Sequence, residues 1–193
     1  MPPDHAPSPP LPRSRNADRT RADILRAACR AFSVHGYAQA TVRQIASDAG
    51  INVALIVRYF GSKEGLFDAA LMESLDIERL IAGDRNAFGE RLAQLLTDAS
   101  EDSRNPLAMM LLATSDTVAR TVVLKRLTAR VTAPLARWLR GRDACERAVR
   151  ITMLSSGYLT YQLLLPIPDR SVADVYSTRE WLAKALQDQV DCG

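Results

Sequence analysis

Residues 41 to 63, T-V-R-Q-I-A-S-D-A-G-I-N-V-A-L-I-V-R-Y-F-G-S-K, read as two short helices joined by a tight turn and followed by a basic residue. Thr41 offers a hydroxyl to cap the first helix, and Gln44 three residues on completes a capping box. Ile45, Ala46 and Ala49 give that helix one apolar stripe, while Arg43 and Gln44 face elsewhere. Gly50 falls where the chain turns with positive φ, which glycine adopts without a Cβ clash. Asn52 caps the second helix, and Ile56 and Phe60, four apart, supply its buried seam. Ala46 is small where two crossing helices approach closely. Ile45, Ala46, Gly50, Ile51 and Ile56 therefore occupy the buried, small, turn and buried positions of a helix-turn-helix over 42–61. That motif implies DNA binding.

The flanks fit this reading. Upstream, Thr20 with Asp23 is expected to cap a first helix whose core face is Ile24, Leu25, Ala28, Ala31 and Phe32, ended by Gly36. Downstream, Ser62 is expected to cap a fourth helix carrying Leu66, Phe67, Ala70 and Leu71 and running on towards Leu80. Residues 1–63 hold nine Arg or Lys against four acids, net +5, which leaves −2 for the rest of a chain whose total is +3. A basic head on a mildly acidic body suits phosphate contact. Residues 1–17 read as a disordered tail, since six of the first twelve are proline. Arg13, Arg15 and Arg19 behind it suit either a solubilising tail or a flexible minor-groove arm.

Residues 19 to 71, from R-T-R-A-D-I-L-R-A-A-C-R-A-F through Y-F-G-S-K-E-G-L-F-D-A-A-L, resemble the DNA-binding domain of the TetR family of transcriptional regulators. The likeness rests on the apolar helix ending in A-F-x-x-x-G-Y, the T-V-R-Q-I-A helix and the F-G-S-K-E-G-L-F exit. It implies an all-α protein: an N-terminal three-helix DNA-binding domain (18–64) joined to a larger helical ligand-binding and dimerisation domain (65–193). Geometry and resemblance together assign Asn52, Val53, Ala54 and Arg58 to base edges, with Asn and Arg as bidentate readers and Val53 against a thymine methyl. Thr41, Arg43, Tyr59 and Lys63 are assigned to phosphates. Val57 stands where the family usually carries Tyr, and Tyr59 where it commonly carries His. Valine cannot hydrogen-bond a phosphate, so that contact is lost or passes to Arg58 or Tyr59.

The resemblance also implies a small-molecule inducer site in the central helices, for which Met109, Met110, Thr114, Trp138, Tyr158 and Tyr161 are the candidates. The expected body helices are Glu90 to Ser100, Pro106 to Ser115, Thr117 to Leu139 with a kink at Pro134, Arg142 to Leu165, and Thr178 to Val190 behind a Ser177/Glu180 capping box. A homodimer face is expected from Ala148, Ile151, Tyr158 and Leu159 with Trp181, Leu182, Ala185 and Leu186.

At 193 residues, 47% hydrophobic but only 6% aromatic, the composition favours helix. No run of 18 apolar residues and no signal-like N-terminus are present, so a cytoplasmic protein is expected. Cys29, Cys145 and Cys192 read as free thiols, Cys29 in the core and Cys192 exposed. No nucleotide-binding, hydrolase or metalloprotease motif occurs, and His5 and His35 lack partners at catalytic spacing, so neither enzyme, cofactor nor metal is expected. The function expected is a repressor that a small molecule releases from a double-stranded DNA operator. A DNA-bound scaffold with a protein-binding body is the alternative.

Overall fold

The computed structural model describes residues 13–75, 77–97, 106–165, 167–169 and 171–192, and among them every regular element is helical. In chain order these are α1 (Arg13–Gln39), α2 (Val42–Asp48), α3 (Val53–Phe60), α4 (Lys63–Ser74), α5 (Ile77–Ile81), a 3₁₀ turn (Arg85–Ala87) and α6 (Phe88–Thr97). They continue with α7 (Pro106–Ala113), α8 (Thr117–Leu127), a π-helical turn (Thr128–Thr132), α9 (Ala133–Leu139), α10 (Ala144–Leu163) and α11 (Val172–Asp191). The tail up to residue 12, the final residues of the helix expected to reach Ser100, and Pro166 lie outside the described residues.

Several boundaries differ from expectation, each for a local reason. α1 starts at Arg13, so Thr20 lies inside it rather than capping it. Pro12 is the last proline before Pro106, so within α1 no residue lacks a backbone donor. Gly36 interrupts α1 as expected, with φ 70° and ψ 171°. α4 stops at Ser74 and does not reach Leu80. The Ser74 hydroxyl donates back to the Ala70 carbonyl at 2.9 Å, a contact that bends helices. The long segment to Leu139, expected to kink at Pro134, passes through a π-helical turn at Thr128–Thr132 just before that proline, which has no N–H to continue the ladder. α11 begins at Val172, ahead of the expected start at Thr178. Its capping box is Ser171 with Asp174, not Ser177 with Glu180.

Two cores result. The first joins Ile24, Phe32, Ile45, Ile56, Leu66, Phe67 and Leu71 of α1–α4 to Met109, Met110 and Ala113 of α7 and Val122 and Val123 of α8. The second joins Phe88 and Leu92 of α6, Leu135 and Leu139 of α9, Ile151 and Leu159 of α10, and Leu182, Leu186 and Val190 of α11. The packing carries α4, α7 and α8 with the head, across the boundary expected after residue 64.

The helix ends of the second core converge. Arg147, fully buried, donates to the carbonyls of Gln189 (3.1 Å), Val190 (3.4 Å) and Leu139 (3.5 Å), and also to that of Arg140. Arg85 donates to Trp138 (3.1 Å), Leu139 (3.2 Å) and Val190 (3.2 Å). Two guanidinium groups thus satisfy the last carbonyls of α9 and α11, where the helix dipoles are negative.

The expected dimer face is corrected by burial. Ala148, Ile151, Leu159, Leu182 and Leu186 lie in the chain's own core. The large apolar side chains left exposed on α10 and α11, among the described residues, are Val149, Met153, Tyr161, Val172, Val175, Tyr176 and Trp181.

Candidate nucleic-acid interface

The head builds its exposed face from short-range bonds. Gln44 N–H donates to the Thr41 hydroxyl at 3.1 Å and caps α2. The reciprocal half of the expected capping box is not made, because the Gln44 amide reaches Asp48 at 2.7 Å. In the turn, Gly50 N–H donates to Ser47 O (3.0 Å) and Ile51 N–H to Ala46 O (2.9 Å), with Gly50 at φ 66°. Asn52 Oδ1 accepts from Ala54 N–H at 2.8 Å and caps α3. Ile45, Ala46 and Ile56 are buried beneath.

What α3 leaves outside is a short mixed face. Asn52, Ala54, Val57 and Arg58 are exposed, while Val53, Tyr59 and Phe60 are half-buried. Val57, 54% exposed, belongs to this face, three residues on from Ala54, although sequence reasoning assigned it no DNA contact of its own. Thr41 and Arg43 are exposed at the start of α2. The chain leaves α3 through a γ-turn at Gly61 (φ 75°, ψ −51°), with Ser62 N–H donating to Phe60 O at 2.9 Å. The Ser62 hydroxyl then caps α4 at Gly65 N–H, 3.0 Å.

Lys63 is turned towards the head. Its ammonium lies 4.5 Å from the Tyr37 ring centroid and 3.4 Å from Ala38 O, tying α4 to the turn before α2. Burial holds it below the ordinary lysine range, against the opposing pull of Asp116. Burial likewise pushes the Tyr37 phenol up, with Asp116 and Glu64 adding to it. Tyr37 packs against Phe32 and Phe67, so Lys63 closes a ring cluster at the base of the motif.

Residues 24–70 match the family model described as bacterial regulatory proteins, tetR family, and residues 86–190 match the tetracyclin repressor-like C-terminal domain. The second match alone spans more than half of the chain.

The chain belongs to the TetR family.

A relative, the HTH-type transcriptional repressor NicS of Pseudomonas putida, is 46% identical over 59 residues, which is 31% of this chain and 28% of NicS. The likeness to that curated protein therefore spans less than a third of its length. A TetR-family regulator from Streptomyces coelicolor A3 has 26% identity and a TM-score of 0.54, covering 95% of this chain and 99% of its own. A Saccharomonospora viridis protein, solved in complex with choline, has the same fold at 24% identity and a TM-score of 0.63, covering 86% of this chain and 95% of its own.

In this TetR-family chain the six residues named for a ligand fall in different surroundings. Met109 and Met110 are buried in the head core. Trp138 and Tyr158 pack at the edge of the second core, the Trp138 ring tilted against Phe88 at 4.9 Å and covered by Arg85 at 4.5 Å. Thr114 and Tyr161 are exposed. A separate open groove of about 370 Å³ runs between α4 and α8, with the Asp68 carboxylate held by Arg126 in its lining. None of the six lines it. Cys29 is buried and Cys145 and Cys192 are exposed. No described helix is long and apolar enough to cross a membrane.

Proposed function

We propose that this chain is a sequence-specific, DNA-binding transcriptional regulator: a cytoplasmic, non-enzymatic repressor that acts as a homodimer and leaves its operator when a small molecule binds. The observation that carries the reading is the exposed face of α3 above a fully buried frame. Arg58 reads guanine; Asn52, whose carbonyl oxygen caps α3, approaches a base edge through its amide donors. Val53, Ala54 and Val57 allow close approach and meet thymine methyls. Thr41, Arg43, Tyr59 and Lys63 serve the phosphates. The ligand binds among the central helices near Trp138 and Tyr158, with Met109, Met110, Thr114 and Tyr161 as further candidates. A quaternary ammonium such as the choline of the S. viridis protein would compete there with Arg85 for the Trp138 ring.

Operator selection from random duplexes tests the reading. A near-palindrome is expected, with half-sites roughly 34–36 Å apart or a multiple of it. A protein with no salt-dependent preference for any duplex over random DNA would overturn it. Arg58→Ala is expected to relax base preference by about 1–3 kcal/mol at one position, whereas Lys63→Ala weakens all sequences alike and flattens the salt slope. Repeating the selection with a metabolite library identifies the releasing ligand.

One short recognition helix offers few base contacts, so specific affinity needs two heads. The apolar stripe of Val149, Met153, Val175, Tyr176 and Trp181 supports pairing through α10 and α11. Trp181 is 60% exposed in the single chain, so Trp181→Asp leaves the fold intact. It is expected to yield monomers by light scattering and to reduce operator binding to the level of random DNA. A dimer of wild-type affinity would exclude this face.

A further inference from the structure

α1 brings Arg21 beside the recognition helix. Its guanidinium carbon lies 5.6 Å from the ring centroid of Phe60, the last residue of α3. Arg21 is exposed and, among the described residues, pairs with no carboxylate, whereas Arg26 on the same helix pairs with Asp23. A helix is about 10–12 Å across and the major groove about 12 Å wide, so sugar-phosphate walls flank a docked helix along its length. An exposed cation mounted on the terminal ring of such a helix is therefore next to a wall. Arginine suits that place because its planar fork takes a phosphate through two donors and also stacks on an aromatic face. The ring holds the guanidinium before DNA arrives, so less side-chain freedom is lost on binding.

We propose that Arg21 is a phosphate contact supplied by α1, seated on Phe60 so that clamp and recognition helix dock as one body. The inference rests on the regulator reading above. It adds to the head a backbone contact from outside the helix-turn-helix. The contact carries no base preference of its own.

Arg21→Met keeps an aliphatic cover over Phe60 and removes the charge; Arg21→Lys keeps the charge. Binding to the selected operator and to random duplex is measured for both across a salt series. Arg21→Met is expected to weaken both DNAs by the same factor and to reduce the log–log salt slope by about 0.9 per protomer, with an unchanged unfolding midpoint. Arg21→Lys is expected to keep the slope. A wild-type slope in Arg21→Met overturns the proposal. So does a loss confined to the operator that Arg21→Lys fails to rescue, which is the signature of bracing alone. If the wild-type protein prefers no duplex, the regulator reading itself falls; if it selects an operator and the Arg21 slope is unmoved, only this contact falls.

Discussion

Arg147→Met is expected to lower the unfolding free energy by about 3–5 kcal/mol, the range for removing one partner of a buried charged network. For a chain of this size that is a fall of roughly 6–20 °C in thermal midpoint. Methionine replaces much of the volume but none of the donors. Of the four carbonyls that Arg147 serves, Leu139 and Val190 keep Arg85, while Arg140 and Gln189 lose the only side-chain donor described for them. Both bonds are only part-buried, so each orphaned carbonyl costs towards the lower end of about 1–3 kcal/mol. Arg140 matters doubly, since its backbone is in the left-handed region at φ 59°, and the bond from Arg147 holds it there. The partner Asp143 lies 3.2 Å from Nε but is half exposed, so its lost ion pair adds little. Arg147→Lys, which retains the charge without the fork, is expected to fall between the two. Thermal unfolding followed by circular dichroism decides the matter, and a midpoint within about two degrees of wild type, well under 1 kcal/mol, would refute this account.

Arg147 also marks where sequence reasoning stops. In A-C-E-R-A-V-R it has the spacing of a solvated surface arginine, and only the convergence of α9 and α11, from 139 and 190, makes it internal. The head was legible for the opposite reason. Thr41, Asn52 and Ser62 cap through bonds two or three residues long, and Gly50 turns the chain by its own conformational freedom. Such signals are complete within a window of a few residues. On α10 and α11 periodicity correctly marked Ala148, Ile151, Leu182 and Leu186 as apolar, but a period cannot say whether the cover is another helix of the same chain or a second copy. The start of α11 was missed because two serine-acid pairs, Ser171/Asp174 and Ser177/Glu180, compete, and the earlier one adds more helix. Lys63 was legible as a cation at the motif's exit, while its seat on Tyr37 depends on a turn 25 residues away. Lining a ligand cavity is a property of several helices at once, which residues chosen singly from one sequence do not encode.

Gly65→Ala is expected to weaken operator binding by roughly 5- to 150-fold, the equivalent of the about 1–3 kcal/mol that an overpacked site costs. A Cβ on Gly65 would lie 2.1 Å from the carbonyl oxygen of Phe60 and 3.3 Å from its carbon. Neither side can give way locally. The Phe60 carbonyl is fixed by Ser62 N–H across the γ-turn, and Gly65 N–H is fixed by the Ser62 hydroxyl. The strain is relieved by moving one helix against the other. α4 is anchored by Leu66, Phe67, Ala70 and Leu71, all buried, whereas α3 buries only Ile56 completely. The recognition helix therefore yields, and its reading face tilts away from the register set by α2. The unfolding midpoint should drop by only a few degrees, and the salt slope should stay at its wild-type value because no phosphate ligand is removed. Gly61→Ala is the control: nothing lies within 4 Å of its Cβ, so the penalty comes from positive φ alone, about 1–2 kcal/mol, with α3 left in place. Its operator affinity should exceed that of Gly65→Ala. Wild-type affinity in Gly65→Ala, or a loss accompanied by a flattened salt slope, would mean that the α3–α4 approach does not set the pose of the reading face.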